Sequence, residues 1–109
     1  MKITKSKLLG SYYDIEYVDD LRDPEDNHKL DGRIIEDGHL IKIDKNLDLQ
    51  SQLQALFHED IHAICWEYAI EDSEKFVRII TGGLFTLIID NPEFIKAILK
   101  FAKQNKENK

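Results

Sequence analysis

Two histidines and an acid stand close together near the middle of the chain, in the run Leu56–His62 (Leu-Phe-His-Glu-Asp-Ile-His). The spacing is H-E-x-x-H, with Glu59 directly after His58 and with His62 four residues beyond His58. On an α-helix, side chains at i and i+4 lie one above the other, so both imidazoles can reach one ion. Imidazole nitrogen binds Zn²⁺ at about 2.0–2.1 Å, and an acid beside the ion can act as a base towards water. The run predicts a zinc site with Glu59 as its general base.

Two histidines do not complete such a site, because a catalytic zinc uses three protein ligands and leaves a fourth position to water. Among the acids that follow, Glu67 would point about 140° away from His62 on a continuous helix, and Asp72 suits a helix cap. Glu74 opens the next predicted helix and would face the first one. We therefore expect Glu74 to be the third ligand, with Glu71 as the second choice.

The motif needs a long helix to carry it. Asp48 is suited to the N-cap of that helix, and the residues that follow contain no Gly or Pro until residue 82. At about 100° per residue, Asp60 and Glu67 fall on the solvent side. The core-facing stripe is expected to contain Leu53, Phe57, Ile61, Ile64 and Tyr68. The motif face is expected to be lined by the small residues Ala55, Cys65 and Ala69.

Two further helices are predicted after the motif, one over residues 75–89 and one from Glu93 to about Lys103. Asn91 and Pro92 divide them, because a proline excludes the preceding residue from the helical region and is itself favoured at a helix start. Residues 104–109 are expected to fray. The domain prediction is accordingly a single domain over residues 1–103 and a frayed tail over residues 104–109.

The first half of the chain predicts strands. Residues 12–18 are rich in aromatic and β-branched types, and residues 32–36 and 39–44 flank Asp37-Gly38, a pair typical of a tight hairpin. Residues 23–31 read as a polar surface loop. The expected fold class is α+β, with a small antiparallel sheet of about three strands packed on three helices and the motif helix in the middle.

Composition narrows the possible partners. The net charge of −6 over 109 residues argues against a nucleic-acid partner, because phosphate binding needs a basic surface. No apolar stretch approaches the roughly 18 residues of a membrane span, and no apolar segment follows the N-terminus as in a secretory signal. The single cysteine, Cys65, cannot form an internal disulfide. We expect a cytoplasmic location and no membrane partner.

Several other residues have side chains capable of chemistry but are expected to be structural. Cys65 is expected to be a small buried hydrophobe, and Trp66 to pack rather than to line a pocket. His28 and His39 should lie at the surface. Arg78 is expected to form a surface ion pair, although a positioned cation can also stabilise an oxyanion.

The motif and its surroundings resemble small phage and prophage zincins related to the ImmA/IrrE-type metallopeptidases, which are gluzincin-like. The similarity spans roughly residues 12–94 and is carried by these segments: Leu56–Ile64, Glu74 with Val77 and Ile80, Leu40–Asp44, Gly83-Leu84 and Asp90–Glu93. Two features depart from the pattern of the family. Asp60 stands where the motif is usually apolar, and Val77 and Arg78 stand where alanine and asparagine often follow the ligand glutamate.

The resemblance implies Zn²⁺ as cofactor, His58, His62 and Glu74 as its ligands, and Glu59 as the general base. It implies a metallopeptidase that hydrolyses a peptide bond in a specific protein partner, in the host cytoplasm if the chain is phage-encoded. An extended substrate would add to an edge strand, expected at residues 39–44.

Two alternatives to the peptidase stay open. One is a non-catalytic zinc-binding module of phage or mobile-element origin that sequesters a host or regulatory protein. The other is a helical interaction domain without metal. The oligomeric state is not predicted by the sequence.

Overall fold

Four strands form one mixed sheet in the computed structural model, which describes residues 3–35 and 37–107. The order across the sheet is β1-β2-β4-β3. The central pair, β2 and β4, is parallel, and the two outer pairs are antiparallel. The strands are β1 (Lys5–Leu8), β2 (Ser11–Val18), β3 (Gly32–Ile35) and β4 (Leu40–Asp44).

The α+β class is confirmed, but the prediction of an antiparallel sheet of about three strands is wrong in two respects. The strand β1 was not predicted, because its sequence Lys-Ser-Lys-Leu has little β-branched or aromatic content. The pairing of β2 with β4 is parallel because the chain crosses over through residues 19–31 and β3 before β4 inserts beside β2. A local pattern does not encode such a long-range pairing.

The predicted hairpin is present, since β3 and β4 pair antiparallel around Asp37-Gly38, but its turn is wider than the predicted tight turn because the last paired residues are Ile35 and Leu40. The left-handed position of its turn is His39, with φ of 48°. Glu36, the last residue of the predicted strand 32–36, lies outside the described residues. Ile41 and Ile43 of β4 share a face, as predicted, and both are fully buried.

Three helices follow the sheet within the described residues: α1 (Leu49–Glu67), α2 (Glu74–Asp90) and α3 (Pro92–Glu107). The side chain of Asp48 accepts a hydrogen bond from the N–H of Ser51 and caps α1, as predicted. The helix α3 begins at Pro92 and continues past residue 103, where we expected it to end. Fraying of residues 104–107 stays a prediction, and residues 108–109 lie outside the described residues. None of the described helices is long and apolar enough to cross a membrane.

The helix α1 packs on two sides, with the sheet on one side and α2 on the other. Its residues Ala55, Leu56 and Ala63 join Tyr13, Ile15, Ile41 and Ile43 of the sheet in the main core. A second cluster contains Ile61, Cys65 and Val77 and lies between α1 and α2. This arrangement holds the motif helix between two elements.

The single core-facing stripe predicted for α1 is therefore wrong in part. Ile61 is buried, but Leu53, Phe57 and Ile64 are only partly buried, and Tyr68 is 62% exposed. The predicted solvent side is also wrong, because Asp60 and Glu67 are partly buried. Glu67 accepts a hydrogen bond of 2.9 Å from the hydroxyl of Tyr13. A helix that packs against two elements has no single apolar face, so one stripe could not describe it.

Candidate metal centre

The helix α1 and the first residue of α2 bring the three predicted ligands together. His58 and His62 lie on successive turns of α1, with ring centroids 5.0 Å apart. Glu74 Oε1 lies 2.7 Å from His62 Nε2, and Glu74 Oε2 lies 3.2 Å from His58 Nε2. The Nε2 atoms of both histidines thus converge on a single carboxylate.

The turn between the helices places Glu74 at that point. Residues 68–73 connect α1 to α2, and Ala69 takes the left-handed conformation (φ 55°) while the N–H of Ile70 donates to the carbonyl of Cys65. Such a bond closes the end of a helix and reverses the chain. Ser73 then caps α2 by accepting the N–H of Phe76, so Glu74 becomes the first helical residue and faces α1.

The second ring nitrogen of His62 has its own partner. Asp72 Oδ2 lies 2.8 Å from His62 Nδ1 and also accepts a hydrogen bond of 2.8 Å from the indole N–H of Trp66. A carboxylate on the far nitrogen fixes the ring and presents Nε2 to a metal. Burial alone would lower the pKa of His62, but the hydrogen bond to Asp72 and the charges of Glu59 and Glu74 outweigh it, and the pKa is raised.

The roles of Asp72 and Trp66 were missed in the sequence. We expected Asp72 to suit a cap or, less favourably, to bind the metal, but Ser73 forms the cap and Asp72 orients His62. Trp66, expected to pack, is partly buried and also donates its N–H to Asp72. The spacing of Trp66, four residues after His62, is the signal that could have indicated a shared acceptor.

Glu59 is nearly buried, with 7% of its surface exposed. Its Oε2 atom is enclosed and has no hydrogen-bond partner among the described residues. Burial is the main reason that the pKa of Glu59 rises to about 7, and the neighbouring charge of Glu74 raises it further. A carboxyl group with a pKa near 7 can both accept and release a proton at neutral pH.

Gly32 of β3 makes this position of Glu59 possible. A Cβ atom at residue 32 would lie 3.2 Å from Cγ of Glu59 and 3.3 Å from Cδ1 of Ile43, closer than side chains usually approach. A glycine in a strand often marks such a close approach. The glycine at residue 32 is the sequence signal for this contact, but its link to the motif depends on how β3 meets α1.

The candidate centre lies in a cleft of about 880 Å³ with three walls. His58 and Glu59 line it from α1, and Glu74 and Arg78 line it from α2. The third wall is formed by residues 28–32, at the end of the predicted polar loop and the start of β3. Arg78 is 77% exposed and lies 3.9 Å from Glu74, a surface ion pair as expected.

The loop wall is tied to the sheet by Asp44, at the end of β4. Its carboxylate is fully buried and accepts the backbone N–H groups of Leu21 (3.3 Å) and Asn46 (2.8 Å) and the ammonium of Lys29. The hydrogen bond from Lys29 is the largest reason that the pKa of Asp44 is lowered. These contacts fix residues 21–29 relative to the sheet.

The remaining candidates do not contact the Glu74 carboxylate, although His28 lies in the loop wall of the cleft. Glu71 is exposed and Glu67 binds Tyr13, so Glu74 is the acid that contacts both histidines. Cys65 is buried between α1 and α2, where burial raises the pKa of its thiol, in agreement with a packing role. His28 and His39 are exposed, as expected.

Comparisons with protein-family models, with curated proteins and with solved structures find no match to this chain. A function for it therefore has to come from the geometry and chemistry of the site.

Proposed function

We propose that the chain is a zinc-dependent metallopeptidase of the zincin type, with His58, His62 and Glu74 as zinc ligands and Glu59 as the general base. The observation that carries the proposal is the convergence of both Nε2 atoms on the Glu74 carboxylate. Two imidazole nitrogens and one carboxylate oxygen are a donor set of catalytic zinc sites with one open position. When bound, zinc polarises a peptide carbonyl and lowers the pKa of water.

Glu59 supplies the proton transfers in this proposal. Its carboxyl group lines the cleft, its Oε2 has no partner among the described residues, and its pKa of about 7 suits a base at neutral pH. It would take a proton from the attacking water and deliver it to the leaving amine. Burial of a carboxylate without a hydrogen-bond partner costs free energy, and a catalytic role gives a reason for that cost.

An extended protein segment is the substrate that the sheet fits best. The sequence led us to expect an edge strand at residues 39–44, but β4 lies between β2 and β3, so both of its edges are paired and it cannot accept a peptide. The strand β3 is the edge on that side, and its first residue, Gly32, lies against Glu59. A peptide that pairs with β3 would pass the candidate centre.

The alternative, a zinc-binding module that only sequesters a protein, uses the same three ligands. Such a module does not need a base beside the metal. The enclosed, unpaired oxygen of Glu59 therefore favours the peptidase over the binding module.

The variant Glu59→Gln tests the proposal. Wild-type chain loaded with zinc and incubated with a proteome-derived peptide library should generate new termini that mass spectrometry detects. Glu59→Gln should keep one zinc per chain and lose cleavage by about 100-fold or more, because a general base contributes about that factor. Glu71→Gln removes a neighbouring exposed acid and should change neither property.

Equal cleavage by Glu59→Gln and wild type would contradict the role of Glu59. Loss of zinc from Glu59→Gln would show that Glu59 is a ligand instead. Stoichiometric zinc with no new termini in the library would favour the binding module.

A further inference from the structure

The helix α3 leaves its apolar face uncovered. None of its residues is buried, and among the described elements it contacts α2 alone. Its exposed apolar residues are Phe94 (55%), Ile98 (46%), Leu99 (63%) and Phe101 (67%). An amphipathic helix of this kind normally packs its apolar face against another element.

An apolar groove between α1 and α2 is open in the same chain. It encloses about 340 Å³ and is lined by Leu53, Phe57, Phe85, Ile88 and Ile89, with the carboxyl group of Asp60 beside them. Ile88 and Ile89 are 39% and 58% exposed. The chain thus presents both an unfilled apolar groove and an unpacked apolar helix.

The short connection between α2 and α3 keeps α3 out of its own groove. The helix α2 ends at Asp90 and α3 begins at Pro92, so Asn91 is the single residue between them. Two helices that fold back on each other need a loop of about two to five residues. A short connection of this kind favours exchange of the helix with a second copy of the chain.

We propose that the groove between α1 and α2 receives α3 of a second copy of this chain, and that two copies exchange their α3 helices reciprocally. The proposal does not depend on the metal site. In a two-fold arrangement each copy contributes one groove and one helix, so the apolar face of each α3 finds an apolar partner in the groove of the other copy.

The exposed area is what such a dimer needs. Apart from Ile79 on the far face of α2, nine large apolar side chains of α2 and α3 are 36–67% exposed. Together they expose roughly 800 Å², taking about 180 Å² for a fully exposed side chain. That area exceeds the largest apolar patch of a typical monomer, about 300–600 Å². It matches the roughly 800 Å² that each partner buries in a standard interface.

The charge of α3 and the extended shape of the chain also favour α3 of a second copy as the occupant of the groove. The helix α3 has four lysines and two glutamates and therefore a charge of +2. Because the whole chain has a net charge of −6, the rest of the chain has a charge of −8. Opposite charges favour the approach of α3 to the body of a second copy. The radius of gyration is 15.0 Å, larger than the roughly 13 Å expected for a compact domain of this length, because α3 extends from the body.

Sedimentation velocity of the full chain from micromolar to several hundred micromolar protein tests the dimer. We expect a species of twice 12.7 kDa that dissociates on dilution. Hydrogen exchange of the amides in residues 92–107 should slow as the dimer forms. The proposal would be overturned if the wild-type chain stays monomeric at every concentration. It would also be overturned if hydrogen exchange of the α3 amides does not depend on protein concentration.

Two complementary variants test the arrangement. Ile98→Glu alters only the helix face and Ile88→Lys only the groove, so each alone should be monomeric. A mixture of the two variants should regain the dimer. The wild-type groove of Ile98→Glu receives the wild-type α3 of Ile88→Lys, and in the other half of the dimer the new glutamate of α3 lies beside the new lysine of the groove. Dimeric single variants would overturn the arrangement, and so would folded variants whose mixture stays monomeric.

Ile79→Glu is the matched control. Ile79 lies on α2, is 62% exposed, and falls about 180° around the helix from Ile88. It should leave the dimer intact, and loss of the dimer in this variant alone would place the interface on the other face of α2. Circular dichroism of each variant establishes that its helices are formed.

Discussion

The carboxylate of Glu74 completes the candidate metal centre beside the two histidines. Its two oxygens face the two Nε2 atoms separately, at 2.7 and 3.2 Å. The side chain is 62% exposed, so little packing holds it, and its place at the start of α2 determines where it points. The geometry of the candidate centre thus depends on the turn before α2 as well as on the motif itself.

Replacement of Glu74 tests the ligand set. Glu74→Ala should weaken zinc binding by more than the 10–100-fold typical of changes outside the ligand set, because only two protein ligands would remain. Competition with a chromophoric chelator measures the affinity. Glu71→Ala is the matched control and should bind zinc as the wild type does. Wild-type affinity in Glu74→Ala would show that another residue completes the site.

Asp72 should tune the site without binding the metal. Asp72→Asn removes the charged acceptor shared by His62 Nδ1 and the indole of Trp66. Zinc affinity should fall about 10–100-fold, as for other carboxylates that orient a ligand histidine. The stoichiometry should stay at one zinc per chain. An unchanged affinity, or loss of zinc as complete as in Glu74→Ala, would contradict this role.

Residue types and spacing predicted much of the candidate site. Four-residue spacing is enough to place His58 and His62 on one helix face, and the predicted helix start is enough to favour Glu74 over Glu71. The roles of Asp72 and Gly32 could not be predicted, because they depend on how the turn and β3 meet α1. Local sequence describes each element, whereas those contacts are made between elements.

At the scale of elements, the position of β4 organises the cleft. It lies inside the sheet, parallel to β2, and its last residue, Asp44, anchors the loop that forms one cleft wall. The strands β2, β3 and β4 were all predicted from residue types and from the Asp37-Gly38 turn. Their order was not, because the parallel pair is joined only through a long crossover.

Asp44 makes the anchoring of this loop dependent on pH. The pKa of Asp44 is lowered, chiefly by the hydrogen bond from Lys29. The carboxylate therefore stabilises the fold fully above its unfolded pKa of about 3.9, and this stabilisation is lost as the pH falls through the lower folded value.

Asp44→Asn should reduce the free energy of unfolding at pH 7 by about 1.5–3 kcal/mol, the range for hydrogen bonds to a charged group. Its stability should also fall less steeply than that of the wild type as the pH drops below about 4. Urea unfolding between pH 3 and 7 measures both effects. Asp14→Asn, at an exposed carboxylate paired with Lys5, should change stability little. Parallel pH profiles for wild type and Asp44→Asn would contradict the anchoring role.

At the scale of the whole molecule, the chain divides into a body and an extension. The body contains the sheet, α1 and α2, and it holds every residue of the candidate centre. The extension is α3, with its apolar face and its lysines exposed. The hydrophobic pattern predicted the existence of α3 but not that its apolar face would be uncovered within the chain. A pattern shows that a face is apolar, but it does not show what covers that face.

X-ray absorption spectroscopy of the zinc-loaded chain tests the central claim most directly, because it reports the type and distance of every ligand atom. We predict one zinc per chain, bound by nitrogen and oxygen atoms at about 2.0–2.2 Å, with imidazole scattering from two histidines. The imidazole scattering should be retained in Glu59→Gln and in Glu71→Ala. Absence of stoichiometric zinc, or a sulfur ligand at about 2.3 Å from Cys65, would contradict a centre formed by His58, His62 and Glu74.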